Sequence, residues 1–318
     1  MRAVYPKFTV GRTSGPGPDG KRGFVLLVVV SVLAVGAVVG IAAYAGVRRW
    51  PETAVAAPHV RTETVVTRVH HRPGLARYLR SRVDPAAATG LALTVAVALV
   101  VVGVAAVGVL LAMVRTNTGL ARYDDWLARF GAEHATSAST TFVKDVSLLG
   151  GTAGIVLASL LVAVVEWRRV RSSALLGFLL LTVAGQFALS NAVKELVERA
   201  RPDIDRLTGF AGTSFPSGHA TAAAACYMAC ALLLGRQRPV RVKAALAGGA
   251  AAIAACVAST RVLLGVHWFT DVLAGALLGW GWFALCSIAF GGRLLRFGAP
   301  VEEAEEVAVA EAIAPSPH

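Results

Sequence analysis

The chain has 318 residues, of which 56% are hydrophobic and only 16% charged, and its mean hydropathy is +0.63. These proportions set it apart from soluble proteins and make a multi-span membrane protein the first expectation. The net charge of +12 would suit nucleic acid if the basic residues formed one face, but they stand in short stretches between apolar runs, so the charge reads as membrane topology and no nucleic acid partner is expected. Cys226, Cys230, Cys256 and Cys286 lie inside apolar runs without CxxC spacing or a zinc-like histidine pattern. They read as small buried hydrophobes, and neither a metal nor a cofactor is expected.

Seven stretches are apolar enough to be taken as spans of a hydrocarbon core that needs about 20 helical residues. They run from Phe24 to Val47, Gly90 to Val114, Leu148 to Val165, Ala174 to Val193, Ser217 to Leu234, Ala244 to Leu264 and Asp271 to Phe290. The expected fold class is therefore all-α, a polytopic membrane helical bundle. Residues 1–88 read as a tail, an extra N-terminal transmembrane helix and a basic loop; residues 89–292 as the membrane core; and residues 293–318, rich in Glu, Ala and Pro, as a disordered tail.

Arg168, Arg169 and Arg171, then Arg236, Arg238, Arg241 and Lys243, then Arg293 and Arg296 mark three segments expected to face the cytoplasm. The alternate segments, Arg115 to Ser147, Lys194 to Pro216 and the turn around His267, then lie outside. Basic residues on both flanks leave the first span undecided by charge. Counting back from the later spans puts its N-terminus outside; a cleaved signal peptide ending near Ala43-Tyr44-Ala45 is the rival, though the apolar run is longer than the usual 7 to 15 residues. Leu75, Tyr78, Leu79 and Val83 share one helical face beside Arg77, Arg80 and Arg82, which suits either a membrane-surface helix or a solvated one. Arginine dominance among the basic residues, with Ala and Val richness, suggests a bacterial plasma membrane.

Three polar clusters stand at membrane depth or at helix ends, where charge is costly. Lys194 and Arg201 are about two helical turns apart, ahead of Pro202, so they fall near one face and could hold a dianion; two snorkelling cations at a helix end are the plainer reading. Pro216-Ser217-Gly218-His219 precedes an alanine-rich run. Ser217 suits an N-cap and Gly218 permits close approach, so first-turn amides could cradle an anion while His219 gives a proton to a departing alkoxide; an ordinary capped helix fits equally. Arg261 precedes His267 and Asp271, four residues apart, where the carboxylate can orient the imidazole as a nucleophile and Arg261 can neutralise phosphoryl oxygens; a helix-capping His-Asp pair is the alternative.

In this order the clusters resemble the type 2 phosphatidic acid phosphatases, within the superfamily of lipid phosphate phosphatases and vanadium haloperoxidases. That family reads Lys-x6-Arg-Pro, Pro-Ser-Gly-His and Ser-Arg-x5-His-x3-Asp, matched here by Lys194 to Pro202, Pro216 to His219 and Thr260-Arg261 to Asp271, over roughly residues 90–290. Thr260 stands where the pattern has serine. The resemblance implies a six-helix phosphatase core, with the first span outside it. It also implies that His267 is the nucleophile, Asp271 its orienting partner, His219 the acid, and Lys194, Arg201, Ser217, Gly218 and Arg261 the phosphate ligands, acting without metal on a lipid phosphate or diphosphate at the outer face. A vanadate-dependent peroxidase and a non-catalytic lipid binder or transporter are the competing readings. The soluble folds of the former, and the retention of both histidines against the latter, weigh toward phosphatase.

Overall fold

The computed structural model describes residues 18–49, 88–204, 207–209 and 212–295. The basic stretch 50–87 with the expected surface helix at Leu75 to Val83, the flank at Arg296 and the acidic tail lie outside the described residues. Among the described residues every regular element is helical. The reason is physical: in hydrocarbon the backbone must satisfy its own hydrogen bonds, and a helix does so within one segment.

The helices are α1 (Pro18–Arg49), α2 (Ala88–Thr116), α3 (Asp124–Glu133), α4 (Ser137–Leu148), α5 (Thr152–Val170), α6 (Ser173–Val197), α7 (Gly218–Leu234), α8 (Val240–Leu263) and α9 (Phe269–Leu295), with a 3-10 turn at Gly119–Tyr123 between α2 and α3. Six of the seven expected spans each fall essentially in one helix, whereas the third, Leu148 to Val165, crosses the break between α4 and α5. The segment from Arg115 to Ser147, expected as a loop, is instead largely α3 and α4. Among the described residues four helices are long and apolar enough to cross a bilayer alone, and two bent pairs pass the same test only if each is taken as one span: the end of α2 with the 3-10 turn and α3 at 54°, and α4 with α5 at 45°. The first bend uses positive φ at Asn117 and Gly119. The second falls at Gly150-Gly151, and α4 opens on a reciprocal capping box between Thr136 and Ser139.

The fifth expected span, α7, has only 17 residues, about 26 Å of helix. It needs no broad lipid-facing surface because it is the central rod. Thr221 to Cys226 are all buried, as expected of a helix apolar on every side, and α5, α6, α8 and α9 surround it. Glycines set the spacing. A Cβ at Gly275 or Gly279 of α9 would overlap the carbonyl oxygen of Ser217 or Thr221 on α7, so small residues let the two backbones touch.

Helix α1 lies along α8 in the same way. Gly36 faces Ala252 and Cys256, while Gly40 faces Gly248 and Ala252, and Cys256 Sγ lies 3.4 Å from the Val32 carbonyl oxygen. Position rises along α1 as it falls along α8, so the two are antiparallel. Val28 packs with Val143, Leu264 and Val266, which puts the N-terminal part of α1 at the end of the bundle where α8 meets α9. That is the relative arrangement given by counting spans back. Helix alternation gathers the 117–123, 198–217 and 264–268 connections at this end, and the basic connections around Arg168 and Arg236 at the other.

Candidate active site

Lys194 lies in the last turn of α6. The expectation that Lys194 and Arg201 share a helical face fails, because Glu198 takes a left-handed conformation and ends the helix after Val197, and the approach to Pro202 disfavours further helix. The cations are brought together by a folded loop instead. Thr213 Oγ1 donates to the Lys194 carbonyl (3.2 Å), Ser214 N donates to the Arg199 carbonyl (2.8 Å), and the Phe215-Pro216 peptide is cis. Arg201 donates to the carbonyls of Gly212 (2.9 Å), Thr213 (3.1 Å) and Val266 (2.7 Å), which pins this loop to the turn between α8 and α9.

Ser217 is the N-cap of α7, as expected, but its side chain accepts no capping hydrogen bond. Its amide donates to the Asp271 carbonyl at 3.0 Å, while its hydroxyl is buried without a partner. At Gly218 an added Cβ would stand 3.7 Å from Lys194 Nζ and 3.8 Å from Ser190 Oγ, ordinary contact distances that place the ammonium beside the first turn of α7. His219 follows. Its ring Nε2 lies 3.7 Å from where a Cβ on Gly151 would be, so the α4–α5 bend forms its wall.

Arg261, 7% exposed, donates from Nη1 to Ser147 Oγ at 2.7 Å and leaves Nε without a partner. The Thr260 hydroxyl, at the one departure from the family pattern, is fully buried and donates to the Val257 carbonyl at 2.6 Å, so it braces α8 from within. His267 is 2% exposed. Its Nδ1 faces Asp271 Oδ2 at 3.5 Å, an ion-pair distance longer than a formed hydrogen bond, and its Nε2 lies 3.3 Å from Arg201 Nη1. Burial pushes the His267 pKa down to about 4; Asp271 opposes the shift, and Arg201 and Arg261 add to it. The imidazole is therefore neutral near pH 7.

The expected residues converge: His219 stands within electrostatic reach of Arg261, His267, Lys194 and Arg201 together. Sequence reading missed a second ring of residues. Asp271 accepts from Arg199 Nη1 at 2.5 Å, from the Trp268 amide at 2.9 Å and from the Ser214 hydroxyl. Arg199 also reaches Thr270 and Asp124. Proximity to Arg201 was the only signal for Arg199. Nothing in sequence separates the buried Asp124 from the exposed Asp125 beside it.

Residues 175–294 match the PAP2 superfamily. The chain is 41% identical over 124 residues to phosphatidylglycerophosphatase B of Bacillus subtilis, covering 38% of this chain and 61% of that protein. It is 37% identical over 118 residues to lipid A 1-phosphatase of Rhizobium etli, covering 34% and 47%. It is also 36% identical over 117 residues to decaprenylphosphoryl-5-phosphoribose phosphatase of Mycobacterium tuberculosis, covering 35% and 60%. The chain thus spans 47 to 61% of the length of these relatives. A crystal structure of a transmembrane PAP2 type phosphatidylglycerolphosphate phosphatase from Bacillus subtilis matches with a TM-score of 0.56 at 27% identity, covering 62% of this chain and 96% of that one. The fold and the matched residues define a multi-pass membrane protein built as a helical bundle. Its residues 175–294 carry the match to the PAP2 superfamily, and this part of the chain resembles the type 2 phosphatidic acid phosphatases.

Proposed function

We propose that the chain is a lipid phosphatase that hydrolyses a phosphate or diphosphate monoester carried on a membrane lipid, through a phosphohistidine and without metal. The observation that carries this reading is the placement of two histidines and three cations, on five different segments, around one cradle at one end of the bundle. Ser217 Oγ, Ser190 Oγ and Arg261 Nε are buried there without partners, an unfavourable state that a bound tetrahedral anion would relieve. Lys194, Arg201 and Arg261 supply the charge to hold it.

In this mechanism Nε2 of His267 attacks the terminal phosphorus and the P–O bond to the leaving group breaks, with His219 protonating the departing alkoxide of a monophosphate or the departing lipid phosphate of a diphosphate. Water then attacks the phosphohistidine, His219 takes its proton, the N–P bond breaks and inorganic phosphate leaves. Asp271 stands opposite Nδ1 at 3.5 Å, so Nε2 is the nitrogen left to react. Phosphatidic acid, phosphatidylglycerol phosphate and polyprenyl diphosphates share the reacting group, and the relatives include, by name, a phosphatidylglycerophosphatase and a decaprenylphosphoryl-5-phosphoribose phosphatase. We place the site at the outer face because the basic connections lie at the opposite end.

The test is phosphate release by purified protein in detergent against those three lipids, with His267→Ala as control and with excess chelator as a second arm. Turnover of at least one lipid, abolished by His267→Ala and retained in chelator, is expected. No release from any lipid, or loss of turnover in chelator, overturns the reading.

A further inference from the structure

Asp271 is the group that aims His267, and the structure shows what aims Asp271. Its carboxylate is fully buried in the first turn of α9, where the helix dipole favours an anion without fixing which oxygen points where. Oδ2 takes the Ser214 hydroxyl and the Trp268 amide, and faces His267. Oδ1 takes Arg199 Nη1 at 2.5 Å. The same guanidinium donates to Thr270 Oγ1 at 2.8 Å and, through Nη2, to Asp124 Oδ2 at 2.8 Å. Asp124 in turn accepts from the Thr270 amide (2.9 Å) and hydroxyl (2.6 Å). Trp268 closes the assembly: its ring lies 5.3 Å under the Arg199 guanidinium, and its Nε1 donates to the Ala200 carbonyl at 2.9 Å.

We infer that Arg199 and Asp124 form a positioning clamp for the nucleophile: Arg199 fixes the Asp271 carboxylate so that Oδ2 meets His267, and Asp124 holds and charge-balances Arg199. A guanidinium between two carboxylates uses its planar fork on both, which an ammonium of one point charge cannot do. Without Asp124 the full charge of Arg199 would fall on Asp271 and weaken its hold on the imidazole. Asp124 opens α3, outside residues 175–294 that match the family, so the clamp makes a segment beyond the matched region part of the catalytic apparatus. Neither residue touches the cradle that would bind phosphate, so the clamp should be felt in turnover and not in binding.

The inference rests on His267 being the nucleophile. The experiment measures kcat and KM separately with short-chain phosphatidic acid in detergent for Arg199→Gln, Arg199→Lys, Asp124→Asn, the double variant Asp124→Asn/Arg199→Gln and His267→Ala. Arg199→Gln should lower kcat by roughly 2- to 150-fold, the range for coupled members of one hydrogen-bond network, with KM close to wild type. Arg199→Lys should recover part of the loss, and the double variant should be no worse than Arg199→Gln alone, since Asp124 acts through Arg199. Should Arg199→Gln fail to fold, Thr270→Val removes one leg of the same clamp and should show the same kcat loss at unchanged KM. Raised KM at unchanged kcat, strictly additive losses, or wild-type kcat in every clamp variant overturns the clamp. Turnover surviving in His267→Ala would instead overturn the reading beneath it, and the two failures are told apart by that one variant.

Discussion

Burial and two guanidinium groups hold the His267 imidazole neutral, with its pKa lowered to about 4 from an ordinary value of 6.5. Because the shift is downward, acidification leaves the lone pair available through the whole range from 6.5 to about 4, and protonation removes it only below that. An imidazole in water would already be half charged at 6.5. With an activated aryl phosphate, whose leaving group needs no proton, the rate of phosphoenzyme formation should therefore hold as pH falls to about 5 and decline near 4. A decline centred near 6.5 in a single-turnover rapid-quench measurement would mean that the attacking group is not the buried His267. Cys226, Cys230 and Cys286 are buried free thiols, as read from their apolar surroundings.

At the scale of elements, backbone contact between α7 and α9 carries the site, because Ser217 N binds the Asp271 carbonyl where the two helices meet. Gly279→Ala would drive a methyl into the Thr221 carbonyl and Ala224, an overpacking that typically costs about 1–3 kcal/mol. The nearby Gly281 has open space around it. Thermal unfolding in detergent should thus give a lower midpoint for Gly279→Ala and an unchanged one for Gly281→Ala; equal midpoints would show that the α7–α9 seam is not close-packed. The seven apolar runs were legible because a bilayer imposes length and composition on any helix that crosses it. The bends at Asn117 to Gly119 and at Gly150-Gly151 were not, since a glycine pair inside an apolar run carries no sign of direction. The end of α6 was also misjudged: Glu198 stops the helix four residues before Pro202, so Lys194 and Arg201 meet through a loop and not along a helical face.

For the whole molecule, the same logic explains which parts of the site could be read. Lys194, Arg201, His219, Arg261, His267 and Asp271 are charged or titratable side chains where such groups are costly, so each announced itself. Arg199, Asp124, Ser214 and Thr270 sit in connections already expected to be polar, and only the fold distinguishes them. The fold also permits a test of sidedness. Glu133 and Gln237 are exposed at opposite ends of the bundle, and three of the four native cysteines are buried. In intact cells a membrane-impermeant thiol reagent should label Glu133→Cys and reach Gln237→Cys only after permeabilisation. The reverse pattern would put the cradle on the cytoplasmic side.

The seam between α1 and α8 sets a schedule for biogenesis. Cys256 and the Val32 carbonyl it meets are 224 residues apart in the chain, and ribosomes add roughly 5–20 residues per second. For tens of seconds the glycine face of α1 has no α8 to lie against. It must wait in the lipid, or beside a helper of the insertion machinery, until α8 itself has been synthesised.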